Sequence, residues 1–390
     1  MHHMASKRAK RSWFAIWFAA ILWPALPAAA QMGLKSYDSK YYQILTDLDA
    51  DKAREAKLRV TLMFEEYARR TRGFAGNGIN GKLPFMLFRN IEDYIAAGGP
   101  PGTAGVFNGQ RLMAVADPRF GDRVWSTVQH EGFHQFVMGA VGGDIPIWAN
   151  EGLAEYFAEG QFTGDDFITG LIPKERLKRV KSRFEKSEFK SLRDMMMLQH
   201  ETWNSEGSIV NYDQAWSMIH FLAHANEGKY QKPFNGFLRA VSGGDKWETA
   251  WERSFGRGVR EFQQRWSDYW RNLADDPTAS EYDRVAFSTL ASFFARAASQ
   301  RQYFDSPDDF FEAAGAGKLK HHAEDWLPPA ILKTALERAD QMGEWSIAKG
   351  SGGRKLILLR PDKQRYTGSF QITGSRVKDV NVKVDRAAAK

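Results

Sequence analysis

Two periodicities of apolar residues alternate along this chain, and their order sets out a fold. Residues 41–46 are aromatic and β-branched and read as a first strand. Asp49 or Asp51 then caps a helix running to about residue 72, with Val60, Met63, Phe64 and Tyr67 at helical spacing. Four glycines between 73 and 81 make a loop, and residues 83–88 form a second strand. The run Gly98-Gly99-Pro100-Pro101-Gly102 breaks the chain. Residues 105–107 and 111–116, joined through Asn108-Gly109, read as a hairpin. Its last strand, near Leu112 to Ala116, is expected at the sheet edge, free to pair with an extended peptide. An apolar helix follows over about 121–139, with Val124, Val128 and Val137 on its back. A turn at 142–146 leads to a second helix at 150–157, which the short connection should fold back antiparallel to the first.

Residues 160–211 are polar and loop-rich, although 174–190 carries Leu177, Val180 and Phe184 on one face of a basic helix. Helices are expected at 212–225, 234–241 and 259–273, the last with Phe262, Trp266 and Trp270 four residues apart. A linker at 275–280 precedes helices at 281–298 and 328–342. Period-two patterning then returns at 355–359, 365–372 and 377–384. No internal repeat is visible. The expected fold class is α+β. A β/α unit with two adjoining helices covers residues 31–160, a helical subdomain 161–275, and a helical and small β region 276–390.

Composition changes this picture mainly at the start. Lys7, Arg8, Lys10 and Arg11 precede an almost wholly apolar run at 13–26 and then Ala28-Ala29-Ala30, the form of a secretory signal over residues 1–30. The apolar run is shorter than the about 20 residues a bilayer span needs, so cleavage after Ala30 is expected, an uncleaved anchor being the alternative. The mature chain is then exported, periplasmic or secreted, without stable membrane insertion. Losing the four basic residues of the signal lowers the formal charge from +7 to +3, which argues against a nucleic-acid partner. There is no cysteine, so disulfides and thiolate ligands are excluded and a metal site must use His and carboxylates.

Within the apolar helix lies His130-Glu131-x-x-His134. On a helix, residues four apart share a face, so the two imidazoles can converge on one ion. Glu131, rotated by about 100°, can reach a water there without being a ligand. A catalytic zinc takes three protein ligands and leaves one position open. Glu151, separated from the second histidine by sixteen residues and in the first turn of the next helix, supplies the third. Two neutral imidazoles and one carboxylate leave net +1, which favours ionisation of water. Glu155, one turn on, could accept the outer N–H of a ligand histidine, and Asn150 could cap the helix or polarise the site. The bland readings are core histidines, a solvent-facing Glu155 and an Asn150 that only caps.

The stretch His130-Glu131-x-x-His134 with Trp148-Ala149-Asn150-Glu151-Gly152-Leu153-Ala154-Glu155-Tyr156 resembles the gluzincin metallopeptidases. The likeness is nearest to the peptidase-MA-like exported bacterial proteins, and the site is similar to that of M1-type aminopeptidases. It covers roughly residues 41–269. The resemblance implies a thermolysin-like zincin domain, zinc on His130, His134 and Glu151, Glu131 as catalytic base, and a peptide or protein substrate. It also implies that Tyr212, at the start of the helix expected at 212–225, donates to the oxyanion, where a tetrahedral intermediate needs a partner opposite the metal. A buried, purely structural Tyr212 is the alternative. The aminopeptidases' amine-binding strand motif has no counterpart, which argues against aminopeptidase specificity. Rival readings are a hydrolase of cell-wall peptides and an exported binding or scaffold protein that keeps the helix pair only as structure.

Other features are discounted. His220 and His224 stand four apart with no acid between them, and His321-His322 are adjacent and cannot both face one ion from a helix. The basic run at 174–190 reads as a solvated helix face or a docking surface for an acidic partner. Trp266 and Trp270 read as core.

Overall fold

The computed structural model describes residues 33–76, 79–121, 123–141, 144–204, 208–350 and 353–386. The expected signal at 1–30 lies outside them. The fold is mixed α+β. Among the described residues no helix is long and apolar enough to cross a membrane.

The chain opens with β1 (Lys35–Asp38), β2 (Tyr42–Thr46), α1 (Ala50–Thr71), β3 (Leu83–Phe88), α2 (Ile91–Ala96), β4 (Gly105–Phe107) and β5 (Leu112–Val115). Asp49 caps α1 by accepting the Lys52 amide at 2.9 Å. The sheet order is β1-β2-β3-β5-β4, with β2, β3 and β5 parallel and the two outer strands antiparallel. Side chains alternate between faces. Ile44, Phe85, Leu87, Leu112 and Ala114 join the main core, while Leu45, Met86, Phe88, Met113 and Val115 pack under Tyr94 of α2. Sequence reasoning put the strand at 112–116 on the edge. The structure corrects this: β5 lies between β3 and β4, and the edge beside the next helix is β4. Asn108 does turn the hairpin, its side chain accepting the amides of Gln110 and Arg111, with Gly109 at φ +85°.

Next come α3 (Arg123–Ala140) and α4 (Ile147–Ala158), packed on each other. A small hairpin, β6 (Gln161–Phe162) and β7 (Phe167–Ile168), leads to α5 (Lys174–Glu185), α6 (Leu192–Met197), α7 (His200–Trp203) and α8 (Ser208–Gly228). The long α8 leaves helical geometry at Ala225–Glu227. It is followed by α9 (Gln231–Ser242), α10 (Trp247–Phe255) and α11 (Val259–Asn272), whose Trp266 and Trp270 are buried as expected.

The C-terminal part has its own core. Helices α12 (Ala279–Ser299), α13 (Pro307–Gly315) and α14 (Pro329–Ala339) pack with a four-stranded antiparallel sheet. Its strands are β8 (Glu344–Gly350), β9 (Gly353–Leu359), β10 (Gln364–Thr373) and β11 (Arg376–Arg386), in order β11-β10-β9-β8. The unit is tied to the rest by the buried Arg296 of α12, which holds Asp165 between β6 and β7 at 2.7 Å and, within its own unit, Asp325 at 3.0 Å. Phe162 and Phe167 of the β6–β7 hairpin belong to this second core.

Candidate metal centre

Helix α3 is apolar on its back, where Val124, Val128, Phe133, Phe136 and Val137 are buried against α1 and the sheet. That burial turns His130 and His134 toward α4. Tyr67 of α1 donates to the Gln129 carbonyl and fixes the backbone one residue before the first histidine. Gly132 lies close to Met63, with room for no larger residue unless that side chain moves.

Helix α4 is buried on most sides. Its close approach to α8 runs through Gly152, where a Cβ would stand 2.7 Å from the Ala215 carbonyl oxygen. With α4 held there, Asn150, Glu151 and Glu155 all project toward α3. The helix begins three residues before the sequence pattern suggested, so Glu151 falls in the second turn rather than the first. Asn150 is not the cap, a position taken by Pro146. Its side chain meets His134 instead.

His130 Nε2 and His134 Nε2 are 3.1 Å apart, and Glu151 Oε2 is 3.3 Å from the first and 3.5 Å from the second. The outer nitrogens face acceptors: His134 Nδ1 lies 3.1 Å from Asn150 Oδ1, and His130 Nδ1 lies 3.0 Å from Glu155 Oε1. Each Nδ1 therefore carries its hydrogen, and both Nε2 lone pairs are left facing a carboxylate oxygen that has no hydrogen-bond partner. Three lone pairs meeting at a half-buried point repel one another unless a proton or a cation sits between them. A tetrahedral ion with bonds of about 2.0–2.1 Å has ligand–ligand edges of about 3.3–3.4 Å, the size of this triangle. The residues thus fit a small divalent ion, and among the described residues this is the one group with such spacing.

Without an ion, the site holds protons instead. Burial would push His130 down, but the carboxylates of Glu151 and Glu155 outweigh it and hold the imidazole up at about 10. Burial likewise opposes ionisation of the two acids, yet the histidines, together with Arg176 at Glu155, bring both down to about 2.

Glu131 stays outside the triangle. Its Oε2 accepts the Phe107 amide of the edge strand β4 at 2.8 Å. A cleft of about 380 Å³ is lined by His130, Glu131, Glu155, Glu159, Arg176 and Tyr212 among others. The Tyr212 ring centroid is 6.2 Å from that of His130, and Trp203 packs on it edge-on. Burial, helped by the Glu151 charge, pushes its hydroxyl up to about 12, so it keeps its proton at neutral pH. Tyr212 sits in the second turn of α8 rather than at its start.

Sequence reasoning missed a cluster of charged residues here. Arg176 is 5% exposed and pairs with Glu155 at 2.6 Å and Glu159 at 2.8 Å. Asp213, beside Tyr212, is 2% exposed and is held by Arg179 at 3.0 Å and Arg183 at 2.9 Å. The basic helix is therefore not simply a solvated face. Its Arg176, Arg179 and Arg183, spaced three and four apart, were the readable signal. His220 and His224 are absorbed in packing, the first against the Gly170 carbonyl at 3.1 Å and the second against Tyr156 Oη at 2.9 Å. His321 and His322 lie outside the site, and the 3₁₀ turn after them is capped by the His322 ring.

A family model described as a protein of unknown function (DUF1570) matches residues 124–241, from α3 through most of α9. The chain is similar to that family over the two helices that carry His130, His134 and Glu151 and over the arginine helix α5. A search of curated proteins finds no match.

Proposed function

We propose that the chain is an exported zinc-dependent peptidase with a thermolysin-like zincin arrangement. The observation that carries this reading is the triangle of His130 Nε2, His134 Nε2 and Glu151 Oε2, with both outer nitrogens already engaged. Two imidazoles and a carboxylate without thiolate suit zinc, and three protein ligands leave a position for substrate chemistry. Zinc, when bound, supplies the charge that polarises water and the substrate carbonyl.

The chain's own residues do the rest. Glu131 takes the proton of the attacking water and hands it to the leaving nitrogen. The Tyr212 hydroxyl, still protonated at neutral pH, donates to the oxyanion that develops on the carbonyl. Asn150 and Glu155 fix the orientation of the two rings. The free edge of β4, whose Phe107 amide touches Glu131, offers backbone groups to an extended peptide. This favours a peptide or protein substrate.

The test is metal content with turnover. The purified mature chain should bind one equivalent of zinc and cut members of a peptide library. Glu131→Gln should keep the zinc and lose hydrolysis by about a hundredfold to ten-thousandfold, the range a positioned general base usually contributes. Undiminished cleavage by Glu131→Gln rules the mechanism out.

A further inference from the structure

The cleft at the metal centre does not end there. Ser126 and Ala158 line both it and a second cavity of about 430 Å³, which lies between the metal-bearing half and the C-terminal unit. Leu48, Val124 and Trp125 form one wall of that cavity, and Val285, Ala286 and Ile331 of α12 and α14 form the other. Its charged groups are engaged with protein partners. Glu55 is paired with Arg59 at 2.9 Å and Lys52 at 3.1 Å, Asp117 with Arg119 at 2.7 Å, and Arg338 with Asp283 at 2.7 Å. The Arg59 guanidinium also lies over the Trp125 and Phe162 rings, 4.7 and 4.5 Å from their centroids. With those charges engaged, the surface offered to a ligand is more apolar than polar.

We propose that this cavity is a substrate subsite. It takes a bulky apolar side chain of the peptide, at least three residues from the bond that is cut, on the side of the metal nearer the start of α3. The proposal rests on the peptidase reading above. The track that leads there is visible in the fold. Strand β4 runs beside α3 with its Phe107 amide at Glu131 and its Gly105 against Thr127, where a Cβ would be 3.1 Å from Thr127 Cγ2. A peptide paired with β4 is therefore carried back along α3 toward Ser126. One helical turn separates Ser126 from His130, about 5.4 Å, and an extended peptide advances about 3.3 Å per residue. Two residues span that turn, and the third and those beyond it meet the cavity mouth. On this account the C-terminal unit completes the substrate site, and continuity with the cleft makes the peptide the occupant.

Thr334 and Ala330 reach the cavity from α14 and are themselves exposed, so tryptophan there fills the space without entering the core. A randomised twelve-residue peptide library would be digested and the products sequenced. Wild type should enrich Leu, Ile, Phe or Met at the third to fifth positions on one side of the cut only. Thr334→Trp and Ala330→Trp should flatten that enrichment and slow cleavage of enriched twelve-residue peptides at least tenfold, with tetrapeptide cleavage and melting temperature unchanged. Retained enrichment in both folded variants overturns the subsite and leaves the peptidase reading intact. If wild type cuts nothing, calorimetry with an apolar-rich twelve-residue peptide decides: binding lost in Thr334→Trp supports the subsite though the peptidase reading fails. Binding that is absent, or equal in both proteins, overturns it.

Discussion

Replacing Gly152 by alanine adds one methyl group and probes how the metal site is held. The new Cβ would stand 2.7 Å from the Ala215 carbonyl oxygen, 2.7 Å from Ile219 Cγ1 and 2.9 Å from the Ala215 carbonyl carbon. The side chain of Ile219 can shift, but the backbone of α8 cannot do so locally. Ordinary contact begins at 3.4 Å, so α4 and α8 must part by about 0.7 Å. Overpacking of this kind costs about 1–3 kcal/mol, and alanine returns up to about 1 kcal/mol of helix propensity. With the propensity gain subtracted, the net loss should be up to about 2 kcal/mol, read from urea denaturation of the metal-free protein. The same displacement carries Glu151 relative to two rings that stay on α3. Metal bonds tolerate about 0.2 Å, so zinc affinity should also fall, measured by competition with a chromophoric chelator. An alanine variant as stable as wild type, with zinc affinity within twofold, refutes the claim that Gly152 sets the position of Glu151.

Three further outcomes are expected. Glu155→Gln should weaken zinc binding about 10–100-fold in chelator competition, because His130 loses a charged partner for its Nδ1 hydrogen. Tyr212→Phe should lower kcat about 100–1,000-fold on a peptide that wild type cleaves, with KM within a few-fold, the pattern of a donor used only in the transition state. The metal-free protein should be most stable between about pH 4.5 and 6.5. Glu151 and Glu155, held down at about 2, contribute stability that is present above their ordinary values and lost as pH falls toward 2. His130, held up at about 10, contributes stability that is full below about 6.5 and lost as pH rises through 10. Urea midpoints across pH 3–10 check this in the chelated protein, and zinc should abolish the alkaline limb, since it replaces the proton on His130.

What the sequence disclosed and what it hid divide by range. The four-residue step from His130 to His134 is a property of any helix, and the side chain of Glu151 fell within reach of both rings although its helix begins earlier than the pattern suggested. Helix α1 and strand β3 were legible for the same reason, each being a local periodic run closed by a cap or a glycine loop. The edge strand was misplaced because sheet order depends on pairing between distant segments: β5 meets β3 across α2 and β4, which no window contains. Arg176 was misread because a basic run is ambiguous until its partners are known, and those partners stand on α4 and α8. Strand β8 went unseen, since its residues alternate too weakly to stand out before pairing with β9.

Asn150, Glu151 and Glu155 all ride on one short helix, so a ligand and both orienting groups reach the histidines as a single rigid part. The connection from Ala140 to Ile147 seats Val141 and Ile145 in the main core, and lengthening the chain between those two anchors costs little entropy. Insertions between the two helices should therefore be tolerated as long as α4 keeps its seat on α8. The number of residues separating the histidine pair from its acid is then free to drift between descendants, while the triangle of the three side chains is inherited intact.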